Sequence, residues 1–67
     1  MTLLEQVADQ LAQDTIAKIE AGADDSLVRR VAEAIANASQ TMEEAYLTAI
    51  RIRRAEARAK AVLKAEA

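Results

Sequence analysis

The chain contains no proline and a single glycine, Gly22. Proline breaks a helix by steric clash and a missing N–H, and glycine by its backbone freedom. Most of the remaining residues are Ala, Leu, Glu, Gln, Arg and Lys, the strongest helix formers. No stretch alternates apolar and polar residues for long enough to read as a strand. The sequence therefore predicts an all-α protein, one domain spanning residues 1–67.

Helix boundaries follow from the capping residues. Thr2 with Glu5 fits a capping box ahead of a helix over about 3–21. Leu4, Val7, Ala8, Leu11, Ala12, Thr15, Ile16 and Ile19 share one face at helical spacing. Gly22 fits the position after that helix, where a positive φ costs it little. Asp24, Asp25 or Ser26 can cap a second helix over about 26–38, with Leu27, Val28, Val31, Ala34, Ile35 and Ala38 as its buried stripe. Thr41 with Glu44 fits another capping box and predicts a third helix over about 42–65.

The third helix is too long for its neighbour to cover. Met42, Tyr46, Ala49 and Ile50 share one face, and Arg53 then stands where the next apolar residue is due. The stripe resumes, rotated, as Ile52, Ala55, Ala59, Val62 and Leu63. The expected architecture is a small three-helix bundle, or a helical hairpin, with a long protruding C-terminal helix. The first half of that helix should pack on its own subunit and the second half on something else.

Charge divides the chain at the same place. Residues 1–50 hold nine carboxylates against three cations, whereas residues 51–67 hold six cations against two carboxylates. The cations are Arg51, Arg53, Arg54, Arg58, Lys60 and Lys64. Arg51, Arg54 and Arg58 share one helix face; Arg53, Lys60 and Lys64 share another. Such a split suggests an anionic partner. Glu5, Asp9 and Glu20 on the first helix form an acidic flank that suits Arg51, Arg54 and Arg58, of the same copy or another. Cations near a helix C-terminus also have a plain electrostatic reason to be there.

Several chemistries lack their residues. With no His, Cys or Trp, the chain cannot build histidine-ligated metal sites, thiol nucleophiles or Ser–His triads. One glycine does not make a phosphate-cradling loop. Asp24-Asp25 and Glu43-Glu44 sit at helix starts, where carboxylates favour the dipole without any catalytic role. We therefore expect no enzyme activity, no catalytic residues, no cofactor, no metal and no small-molecule substrate.

About half of the hydrophobic residues are alanine, so the core is small and assembly is the remaining way to reinforce it. The function expected is a non-enzymatic helical interaction module, a small structural or regulatory subunit. It would form a homo-oligomer or join a larger protein assembly through its basic C-terminal helix. The alternative is a small nucleic-acid-associated accessory protein that binds phosphates non-specifically through the Arg and Lys residues of 51–64. Glu43 and Glu44 on the leading turns of the third helix oppose a helix-turn-helix docking. No apolar run is long enough to span a membrane, and Ile52, Val62 and Leu63 are few for a membrane-surface helix. The N-terminus has no secretory signal pattern, so a cytoplasmic location is expected.

Overall fold

In a computed structural model that describes residues 1–66, the protein is all-helical. Helix α1 spans Leu3–Glu20, α2 spans Leu27–Ala36 and α3 spans Gln40–Ala65. Helix α3 packs mainly on α1 and secondarily on α2, and no strand occurs among the described residues.

The ends of α1 form as the sequence leads one to expect. Thr2 Oγ1 accepts from the Glu5 backbone N–H at 3.1 Å, and Glu5 Oε1 accepts from the Thr2 N–H at 3.1 Å. This reciprocal pair satisfies two of the orphan donors of the first turn. At the other end Gly22 adopts φ +116°. Its N–H donates to Ile19 O at 3.0 Å, and the Ala23 N–H donates to Lys18 O at 2.9 Å. These two bonds constitute a Schellman motif, and they turn the chain sharply toward α2.

The start of α3 departs from expectation. Ser39, not Thr41, is the N-cap: its backbone is extended and its Oγ accepts from the Met42 N–H at 3.1 Å. Thr41 lies within the first turn, so the Thr41–Glu44 box does not form and α3 begins two residues early, at Gln40. The chain reaches Ser39 through a tight turn in which the Ala38 and Ser39 N–H groups both donate to Ile35 O. Helix α2 is correspondingly shorter than expected. The side chain of its N-cap residue, Ser26, makes no capping bond to the first turn; the Ser26 N–H itself donates to Asp24 Oδ1 at 2.8 Å. Its buried residue is Ala32, whereas Ala34 and Ala38 are exposed. Val28, Ala32 and Ile35 fall in line at i, i+4 and i+7, and Ala34 lies off that line.

Four alanine-sized or aliphatic residues and one aromatic residue form the centre: Ala8 and Ala12 of α1, Ala32 of α2, and Tyr46 and Ile50 of α3. Alanines let the helix backbones approach closely, and Tyr46 fills the space they leave. It is fully buried, with 0% exposure. Its hydroxyl lies 2.9 Å from Thr15 Oγ1, and Thr15 Oγ1 donates to Leu11 O at 2.8 Å. A threonine hydroxyl has one proton, so Tyr46 is the donor in the pair. The bond ties α3 to α1 and satisfies the phenol in the core. Among the described residues no buried side-chain polar atom lacks a partner.

Two substitutions test this centre. Tyr46→Phe removes a net hydrogen bond and should cost about 0.5–1.5 kcal/mol, since Thr15 keeps its bond to Leu11. Tyr46→Ala leaves a large cavity and should cost about 3–5 kcal/mol, comparable to the whole stability of a chain this size. Denaturant melts followed by circular dichroism would resolve the two. Equal, small losses from both would mean that Tyr46 does not organise the core.

Candidate interaction surface

Helix α3 is a single continuous helix with two different environments. Up to Ile50 its apolar residues face α1 and α2; from Ala55 onward every described residue is exposed. At about 100° per residue, Ile52 lies roughly 200° around the helix from Ile50. The second apolar stripe therefore faces away from the core. Ile52, Val62 and Leu63 are 61%, 67% and 72% exposed, and Ala55 and Ala59 between them are exposed as well. They form an exposed ridge along an arm, bordered by Met1 and Glu5 only beside Ile52.

The basic residues divide into two groups. Arg53 and Arg54 are half-buried and engaged within the chain. Arg53 Nε donates to Asp9 Oδ1 at 3.0 Å, and Arg53 Nη2 donates to Asp9 Oδ2 at 2.6 Å. This bidentate fork is the strong form of the Arg–carboxylate pair. Gln13 Nε2 also donates to Asp9 Oδ2 at 3.0 Å. Arg54 Nη2 pairs with Asp25 Oδ1, just ahead of α2. Arg51, Arg58, Lys60 and Lys64 are exposed. Glu56 lies 3.6 Å from Arg53 and 3.5 Å from Lys60, both loose contacts along the helix.

The sequence suggests Arg51, Arg54 and Arg58 as the partners of the α1 acidic flank. In the structure that role falls to Arg53, which meets Asp9, while Arg54 meets Asp25. The signal was the interruption itself: an arginine at the apolar position facing α1 implies a carboxylate opposite. Asp9 and Asp25 offset the charge of Arg53 and Arg54, and so lower the net positive charge of this surface.

Two shallow clefts flank the point where the arm leaves the body. One, of about 290 Å³, lies among Ile16, Ile19, Glu20, Arg53, Arg54, Ala57 and Arg58. The other, of about 250 Å³, lies among Met1, Glu5, Asp9, Ala45, Ala49, Ile52 and Arg53, and joins the upstream end of the ridge. Among the described residues no three His, Cys, Asp or Glu side chains converge as a metal site would need. None of the described helices is long and apolar enough to cross a membrane. The chain matches no protein family, no curated protein and no solved structure.

The Asp9–Arg53 pair sets a direction for pH dependence. Chiefly the hydrogen bonds from Arg53, and then that from Gln13, hold the Asp9 carboxyl below its ordinary value. A lowered folded-state pKa contributes stability that is fully present above the unfolded value, about 3.9, and is lost as pH falls through the folded value. Acid melts should therefore show Asp9→Asn losing less stability than the parent below about pH 4. Identical acid slopes for the two proteins would mean that the fork does not persist in solution.

Proposed function

We propose that this chain is a non-enzymatic helical interaction module, a small structural or regulatory subunit that self-associates through the arm of α3. The observation that carries the reading is the outward ridge of Ile52, Ala55, Ala59, Val62 and Leu63, set at helical spacing on an exposed arm. Burying a side chain of the Ile, Val or Leu class contributes about 1.5–3 kcal/mol relative to leaving it exposed. The core beneath holds one aromatic residue and mostly alanines, so docking of the ridge adds stability on the scale of the domain itself. The exposed cations on either side of the ridge, Arg51 and Arg58 on one and Lys60 on the other, set orientation and partner choice more than affinity.

Sedimentation and thermal melts over a concentration series test the reading. The parent should be a dimer or larger, with a melting temperature that rises with concentration. Ile52→Lys combined with Val62→Lys should give a helical monomer whose melting temperature does not. A parent chain that stays monomeric at high concentration would remove self-association as the function of the arm.

A further inference from the structure

On the reading that the arm self-associates, we infer that its occupant is the same arm of a second copy, with the two α3 helices parallel and in register. The ridge has the spacing of a coiled-coil seam. Ile52, Ala55, Ala59 and Val62 succeed one another by three, four and three residues, the a and d positions of a heptad. Alanines at the two middle layers let the helix axes come close, and Ile52 and Val62 close the ends. The seam faces away from Tyr46 and Ile50, so most of each body lies on the outer side of the pair, and only Met1 and Glu5 border the seam, at its upstream end beside Ile52.

Charge selects the direction. In this heptad Arg51 and Arg58 occupy g positions, and Glu56 and Leu63 occupy e positions. In a parallel pair each g residue lies beside the e residue five positions further along the other helix. Arg51 then meets Glu56 of the second copy, twice by symmetry, and the alkyl stem of Arg58 lies along Leu63. An antiparallel pair that sets Ile52 over Val62 brings Arg58 against Arg58 and Glu56 against Glu56 at the two-fold axis. Both of those contacts are repulsive. Glu56 is free to take the new partner, because its contacts within the helix, at 3.5 and 3.6 Å, are long for charge-assisted bonds. Arg51 makes no ion pair among the described residues.

The chain has no cysteine, so introduced thiols report without ambiguity. Val62→Cys places two thiols at one layer of a parallel pair, where they can bridge. In the antiparallel pair they stand about 15 Å apart along the axis and cannot. An equimolar mixture of Ile52→Cys and Val62→Cys reverses the test. Under mild oxidation the parallel pair should give a covalent Val62→Cys dimer and no mixed disulfide. A mixed disulfide without the Val62→Cys dimer would overturn the parallel arrangement and leave self-association standing. A chain that is dimeric by sedimentation yet forms neither disulfide would place the contact elsewhere and overturn the seam. A monomer without any disulfide would overturn both the seam and self-association through the arm.

A charge exchange gives a second, independent readout. Arg51→Glu or Glu56→Arg alone should weaken dimerisation by about three- to tenfold, as expected for two exposed pairs turned repulsive. The double exchange should restore it. Residues five apart do not face each other along one helix, so restoration within a single chain has no mechanism. Failure of the double variant to recover would overturn the Arg51–Glu56 contact.

Discussion

The body of this protein depends on one buried phenol. Tyr46 is the only aromatic residue in the chain, and alanines of the two other helices stand beside it in the core. Small residues permit close helix approach but bury little area of their own. A single large side chain then supplies much of the volume that a core must have, because unfilled space forfeits contacts. Its hydroxyl would be costly in such a place without a partner. Thr15 supplies the partner, and in doing so fixes how α3 is set against α1. Thr15 resembles a misplaced polar residue on an apolar helix face; it is a receptor for the tyrosine proton.

Where the body ends, apolar packing gives way to charge. Beyond Ile50 the face of α3 that meets α1 carries Arg53, and the next residue reaches toward α2. The two arginines clamp α3 to α1 at Asp9 and to the segment just ahead of α2 at Asp25, at the exit from the core. A bidentate guanidinium fixes orientation as well as proximity. The clamp thus holds the direction in which the rest of the helix leaves. The rotation of the apolar stripe and the change of charge both coincide with the end of the buried core at Ile50.

Much of this was legible in the sequence, for identifiable reasons. The all-helical class followed from the lack of breakers, and the Thr2 box and the Gly22 turn followed from local chemistry that needs no knowledge of the fold. The outward turn of Ile52, Val62 and Leu63 could be read from spacing alone. The cap of α3 could not, because Ser39 and Thr41 are both good capping residues and only Thr41 has a glutamate three positions on. What decided between them was the tight turn after Ile35, which leaves Ser39 extended and closest to the new helix. The burial of Ala32 in place of Ala34 depends on how α2 is rolled against α3, and an alanine-rich stripe states that weakly. The Asp9–Arg53 pairing spans 44 positions, and no local pattern encodes which acid a distant arginine will meet. Of the arm itself, the exposure of its apolar residues was legible from their spacing.

The Arg53–Asp9 and Arg54–Asp25 pairs have a further consequence for the arm. Beyond them α3 continues through residues 55–65, about three turns. A free peptide of that length is a marginal helix in water, because the first turn must be nucleated at a large entropic cost. Here the body supplies the nucleus, and the arm forms by propagation alone, one residue at a time from an end already wound. Its unwinding must run the other way, from the tip near Lys64 inward, and the clamp is where it stops. In the unpaired chain the arm is thus a helix whose length varies with temperature, and amide exchange along it should slow steadily from tip to clamp.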